Sequence, residues 1–188
     1  MLNKKMYYRA IAAVVGTLFL TGCSFTIPVN YSAQNYVRYE GRTAIGRFTY
    51  VPADTGTVAA NQIQSTAIGG IFVAANIADL VQRATALELE KTGFKLSDNN
   101  PLVVSGEVLE FKADNFGYSV DWSYSVRYRI IRKSDGKELL NKVYVAVPKK
   151  TGKFGPPADY APSINEMILS GYDKFISDEQ VRKFFSQW

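Results

Sequence analysis

Histidine is absent from all 188 residues, and cysteine occurs once, at position 23. The first absence removes the commonest general base and the commonest transition-metal ligand together. The second removes intramolecular disulfides and thiolate metal clusters. Serine–histidine, cysteine–histidine and histidine–zinc chemistries are thus excluded by composition, and neither a metal nor a cofactor is expected. Lysine- and carboxylate-based mechanisms stay open. Acid is missing from one stretch: residues 1–22 hold Lys4, Lys5 and Arg9 but no Asp or Glu. The chain has 22 basic and 17 acidic residues, a net of +5, and setting those 22 residues aside leaves 19 against 17, or +2. The basicity sits mostly at the N-terminus and does not point to nucleic acid. With 47% hydrophobic and 21% charged residues among its 188, the chain has the composition and length of one globular domain with its own core.

Lys4, Lys5 and Arg9 precede an apolar run over residues 10–20, the layout of a secretory signal. Leu20-Thr21-Gly22-Cys23 follows at once. It resembles the lipobox of bacterial lipoproteins: an aliphatic residue, two small ones that let the extended backbone enter a peptidase site, then cysteine. The resemblance implies cleavage between Gly22 and Cys23, a diacylglyceryl thioether on Cys23, and an acylated amino group. One chain binds a bilayer only marginally at about 0.8 kcal/mol per buried CH₂, whereas two or three hold a protein there. Ser24, in place of an inner-membrane-retaining aspartate, implies delivery to the outer membrane, facing the periplasm. An uncleaved membrane span is the competing reading, since no charge lies between Arg9 and Arg38, but Thr21, Gly22, Ser24 and Pro28 dilute it. The expected organisation is a signal over 1–22, a lipidated N-terminus and tether over 23–41, and a single periplasmic domain over 42–188.

Within that domain, residues 43–51 read as a strand closed by Pro52, and residues 53–70 as a loop of small residues. Asn76 is a good helix N-cap, followed by Ile77, Leu80, Val81, Ala84 and Leu87 at helical spacing and ended by Gly93. Residues 102–112 read as a strand in which Gly106 suggests a bulge. The clearest pattern comes next. Val120, Trp122, Tyr124, Val126, Tyr128 and Ile130 alternate with Asp121, Ser123, Ser125, Arg127 and Arg129, a strand with one buried and one wet face. Residues 133–136 close a hairpin, and the returning strand is expected to turn Leu139, Val143, Val145 and Val147 to one face. After a loop over 149–161, Ser163 and Glu166 suggest a capping box, and Ile164, Met167, Ile168, Tyr172, Phe175 and Ile176 stripe a helix. Asp178 can cap a last helix carrying Val181, Phe184 and Phe185. This order predicts an α+β fold: a two-layer sandwich, with a mainly antiparallel sheet of about four strands and two main helices on one face. Burying Trp122, Tyr124 and Tyr128 beneath them is worth about 1.5–3 kcal/mol each.

The helix ending LELEKTGFKL, the strand PLVVSGEVLEF, the tyrosine-bearing strand running into SDGKELLNKVY, and the tail INEMILSGYDKFISDEQVRKFFSQ resemble the YajG-like lipoproteins of Gram-negative outer membranes over residues 76–187. The resemblance implies a small periplasmic α+β domain on a lipid anchor and transfers no catalytic residues. The expectation is a non-enzymatic outer-membrane lipoprotein that binds another envelope protein and is held in the membrane through acyl chains on Cys23. Two alternatives stand beside it. An accessory of lipid or lipopolysaccharide transport requires an apolar groove between helices and sheet. A carboxylate-dependent peptidoglycan enzyme requires two carboxylates about 5–10 Å apart in a cleft.

Four motifs invite sharper readings. Ile68-Gly69-Gly70-Ile71 lacks the Lys-Ser/Thr of a phosphate loop and suits close packing or a flexible lead-in to the helix. Lys149, Lys150 and Lys153 can hold an anionic partner or simply protect a sheet edge. Arg127 and Arg129 alternate with rings, but on the opposite face from them, which argues against a nucleic-acid stacking platform. Glu107, Glu110, Asp114 and Asp121 are either a carboxylate site or the wet face of the sheet.

Overall fold

The computed structural model describes residues 24–35, 38–66, 69–115, 117–152 and 155–186. The export signal, its motif Leu20, Thr21, Gly22 and Cys23, and Lys153 lie outside them. The strands are β1 (Phe25–Ile27), β2 (Gly41–Tyr50), β3 (Gln62–Ser65), β4 (Ile71–Val73), β5 (Phe94–Leu96), β6 (Leu102–Asp114), β7 (Ser119–Arg132), β8 (Glu138–Val145) and β9 (Lys149–Gly152). The helices are α1 (Val51–Asp54), α2 (Ile77–Thr92), α3 (Ala161–Ile176) and α4 (Glu179–Ser186), with a 3₁₀ turn over Pro157–Tyr160.

The long β6–β7 hairpin is the spine, paired from Leu102↔Arg132 to Asp114↔Asp121. Along its β6 side lie β2 (Ala44↔Val103 to Tyr50↔Val108) and then β3 (Gln64↔Lys112), both parallel to it. Along its β7 side lie β8 (Ile131↔Glu138 to Ser125↔Val145) and then β9 (Trp122↔Lys149 to Ser119↔Gly152), both antiparallel. The core of the sheet is therefore four lanes wide, with each outer lane filled by two strands end to end. Outside them, β5 joins β2, and β4 and β1 extend from β3. Among the described residues nine strands thus stand where about four are expected, and the sheet is mixed, its longest pairings antiparallel. The extra strands are three or four residues long, too short to display a period of two. Parallel pairing of β2 with β6 follows from the connection between them, which contains α2.

The alternation along β7 is realised fully. Val120, Trp122, Tyr124, Val126, Tyr128 and Ile130 are all buried, beneath α2 and α3. Where α3 crosses the sheet, Gly171 lets its backbone approach: a Cβ there would stand 2.8 Å from the Tyr124 ring. Phe175, one turn on, stacks on Tyr128 at 4.3 Å. The two tyrosine hydroxyls differ. That of Tyr128 shares a 3.1 Å hydrogen bond with Thr85, whereas that of Tyr124 is buried without a partner. Tyr124→Phe is therefore expected to raise stability by about 1 kcal/mol and Tyr128→Phe to lower it by about as much, read as opposite shifts of the urea midpoint at constant slope.

Several local expectations are corrected. Pro52 starts the turn α1 instead of closing a strand, as its fixed φ and missing N–H allow. The side chain of Asn76 makes no capping hydrogen bond. Gly93 does take the left-handed conformation, with φ of 116°, and a Cβ there would lie 2.5 Å from the Tyr39 carbonyl oxygen. Gly106 does adjoin a register shift, on its β2 side between Ile45 and Phe48, where it makes room for the Phe48 ring; in the β6–β7 hairpin the shift falls between Val108 and Glu110. No capping box forms at Ser163. The helix begins two residues earlier, Ser163 is buried in its first turn, and Glu166 turns instead to Lys149. Asp178 caps α4 as expected, accepting the Gln180 N–H at 2.9 Å.

Candidate functional site

The returning strand β8 turns its valines to one face, as expected, and that face is the outer one. Pairing jumps from Ile131↔Glu138 to Ile130↔Leu140, so Leu139 has no opposite number. One such irregularity exchanges every later side chain between faces. Leu140, Tyr144 and Ala146 are consequently buried, while Val143, Val145 and Val147 are 41%, 54% and 61% exposed. Val143 stands opposite Arg127 and Val145 opposite Ser125, which places a row of bare valines on the outer face of the sheet.

Beside that row lies a charged lattice. Glu107 accepts hydrogen bonds from both Arg127 and Arg129, and Arg129 also comes within 3.6 Å of Glu138. Glu110 accepts from the Ser123 hydroxyl, and Asp114 from that of Thr66 at 2.8 Å. Asp121 lies 3.2 Å from the Lys150 ammonium. All four carboxylates singled out from the sequence therefore have partners on the outer face, where the register sets Asp114 opposite Asp121. Of the three lysines, Lys149 pairs with Glu166 and Lys150 with Asp121. The glycine pair ahead of β4 serves as a connector, the Gly70 carbonyl accepting the Phe25 N–H at 3.2 Å.

A second polar centre lies inside the fold. Glu88, fully buried on α2, accepts the Tyr31 hydroxyl at 2.6 Å and the backbone N–H groups of Gln34 and Asn35 at 2.9 and 3.0 Å. The Asn35 side chain reaches on to Asp173 of α3 at 2.9 Å. Residues 24–35, expected as part of a tether, are instead built into the domain: Ile27 is fully buried in β1, and Glu88 clamps the stretch from Tyr31 to Asn35. The sequence carries a signal for this. Glu88 falls four residues after Ala84 and eight after Leu80, on the apolar stripe, whereas Leu87, expected inside, is 41% exposed. Burial, reinforced by the Glu88 charge, holds the Asp173 carboxyl above the usual carboxylate range.

Asp178 behaves oppositely. Partial burial alone would raise its pKa, but hydrogen bonds from Lys142 (2.6 Å), the Gln180 N–H and Tyr144 (3.0 Å) outweigh that and hold it low. A carboxyl more acidic when folded adds stability above its unfolded pKa and loses that contribution as pH falls through the folded one. Between about pH 5 and pH 3 the native protein is therefore expected to lose more denaturation midpoint than Asp178→Asn does.

The depressions on the surface are mixed in character, and one of 60 Å³ is mainly apolar, lined by Tyr39, Phe94, Ile176 and Phe185 among others. One of 510 Å³ is lined by Ala75, Asn76, Asp79, Gln82 and Arg83, and one of 480 Å³ includes Glu40, Arg42, Lys95 and Phe185. The space between helices and sheet is occupied by buried side chains, among them Trp122, Tyr124, Met167 and Phe175. Among the described residues no group of Asp, Glu, Cys or His could hold a metal ion, and no helix is long and apolar enough to cross a membrane.

No protein-family model matches the sequence, and neither does any curated protein. Solved structures do resemble it in fold. A Xanthomonas campestris protein assigned to the family DUF330 superposes with a TM-score of 0.66 at 10% identity, over 88% of this chain and 100% of its own. A Chlamydia trachomatis protein does so at 0.49 and 11% identity, over 76% and 96%. A lipoprotein of Neisseria meningitidis does so at 0.31 and 12% identity, over 71% and 99%. The YajG-like resemblance is not matched by a family model; what the comparison shows is an α+β fold shared with the Xanthomonas protein.

Proposed function

We propose that this protein is a non-enzymatic lipoprotein, anchored in the outer membrane through acyl chains on Cys23, that faces the periplasm and binds another protein of the cell envelope through the outer face of its sheet. The observation that carries this reading is the exposed row of Val143, Val145 and Val147 beside the Glu107–Arg127–Arg129 lattice. Apolar side chains held rigidly on a strand next to fixed charges are what a protein-binding patch presents. Core side chains fill the inner face of the described sheet, and the apolar depression at Tyr39, Phe94, Ile176 and Phe185 holds only 60 Å³, which favours a binding module over a lipid carrier. Each of the four carboxylates is engaged by a neighbouring side chain on the outer face of the sheet, which favours a binding surface over an acid–base pair.

The test is a photo-crosslinking amino acid placed at Val145 in the full-length protein in living cells, with Lys91 as the control position. One adduct of discrete mass from position 145, absent from position 91 and lost in Val143→Asp, is the expected result. Adducts indistinguishable between the two positions would contradict the binding reading.

A further inference from the structure

The lipid anchor and the folded domain are much closer together than a tether would make them. Cys23 stands two residues before Phe25, and two residues span at most about 7 Å. Phe25 opens β1: its N–H is bonded to the Gly70 carbonyl, it pairs with Ile71, and its ring lies 5.9 Å from that of Tyr160. Tyr160 in turn meets Trp122 at 5.6 Å. On the other side of this end of the sheet, Thr66 bonds Asp114 and Ser65 bonds Asn115, at the mouth of the β6–β7 turn. Ser119 pairs with Gly152 at the start of β7. Phe25, two residues after Cys23 in sequence, the 69–70 connector, the end of β9 and the β6–β7 turn therefore share one end of the molecule. At the tip of that end Tyr118, 87% exposed, is the most exposed large apolar side chain among the described residues.

We infer that this end of the sheet is a membrane-contact surface, seated on the same leaflet that receives the acyl chains of Cys23, with the Tyr118 ring at head-group depth. The inference rests on the lipid-anchor reading above. A tyrosine ring suits that depth because its body is apolar and its hydroxyl stays hydrated. Lys112 and Lys150 are offset there by Asp114 and Asp121, so contact does not call for anionic lipid. The hairpin then rises from the bilayer, and the 14 residues of β7 place the far turn at 133–136 about 45 Å away. Val145, opposite Ser125, stands roughly 20 Å out, clear of the head groups and open to a partner.

Lipidation consumes the sole native thiol, so Tyr118→Cys and Ser134→Cys each give the lipidated full-length protein one free cysteine for an environment-sensitive dye. Both proteins are reconstituted in phosphatidylcholine vesicles containing shallow nitroxide-labelled lipid, and the intact mass of each sample reports the state of Cys23. The expected result is a blue-shifted dye at 118 that loses about half or more of its emission to the nitroxide, and a dye at 134, some 45 Å off, that loses none. Adding phosphatidylglycerol should change neither. Equal quenching at both positions, or none at 118 with Cys23 lipidated, overturns the membrane-contact surface while leaving the anchor standing. Two dyes per chain, with Cys23 unmodified by mass, overturn both.

Discussion

Phe175→Ala is expected to lower the melting temperature by about 10–15 °C. The ring is fully buried and sits where three tyrosines converge: stacked on Tyr128 at 4.3 Å, edge-on to Tyr144 at 5.8 Å, and tilted against Tyr172 at 6.1 Å. Truncating such a ring removes its transfer free energy and leaves a cavity that its neighbours only partly fill, a cost of about 3–5 kcal/mol. For a protein of this size each kcal/mol is worth roughly 2–4 °C. Differential scanning calorimetry of Phe175→Ala beside Phe184→Ala, which truncates an only partly buried ring, checks it. A shift no larger than that of Phe184→Ala would mean that α3 does not cross the tyrosine strand as described.

Glu88→Ala is expected to cost about 3 kcal/mol and, unlike the core truncation, to act locally first. Three donors converge on this carboxylate: the Tyr31 hydroxyl and the N–H groups of Gln34 and Asn35. Removing the acceptor forfeits charge-assisted hydrogen bonds and strands these donors away from water. Residues 24–35 should then detach before the rest of the domain unfolds, and trypsin should cut after Arg38 many-fold faster while the remaining peptide map is unchanged. Glu88→Gln keeps an acceptor oxygen and should fall between. If the segment stays protected in Glu88→Ala, the clamp is not what holds it. On the proposed lipid anchor and membrane contact, the same substitution would turn residues 24–35 into a tether and release the valine row from a fixed height above the bilayer.

How much of the fold is legible in the sequence varies with the length of the element that carries it. The strand with Trp122, Tyr124 and Tyr128 alternates over enough residues that its buried face can be read directly, as can the helical stripe from Ile164 to Ile176 and the glycine stop at Gly93. The short strands cannot: three residues such as Phe25–Ile27 display no period, and their place is set by partners distant in the chain. The solvated outer side of the sheet is legible from β7, but the alternation of β8 only groups the valines on one face without saying which. The pattern Leu139, Val143, Val145, Val147 is sound alternation, and only the unpaired Leu139 decides which face it serves. The loop lysines stand out by their charge, whereas Glu166 and Asp121, which meet two of them, come from other elements. Glu88 escapes notice because a carboxylate on an apolar stripe reads as surface until its donors, more than fifty residues away in sequence, are seen folding back onto it.

Everything about where this domain works depends on the chemistry of one side chain. The most direct measurement is the intact mass of the native protein purified from membranes in mild detergent, with fragmentation of its N-terminus. The mature chain should begin at Cys23, carry the added mass of two or three fatty acyl groups, and release them partly on mild alkaline treatment. A chain that still begins at Met1, with a free and alkylatable thiol at position 23, would contradict the anchor and with it the placement of the binding face above the membrane.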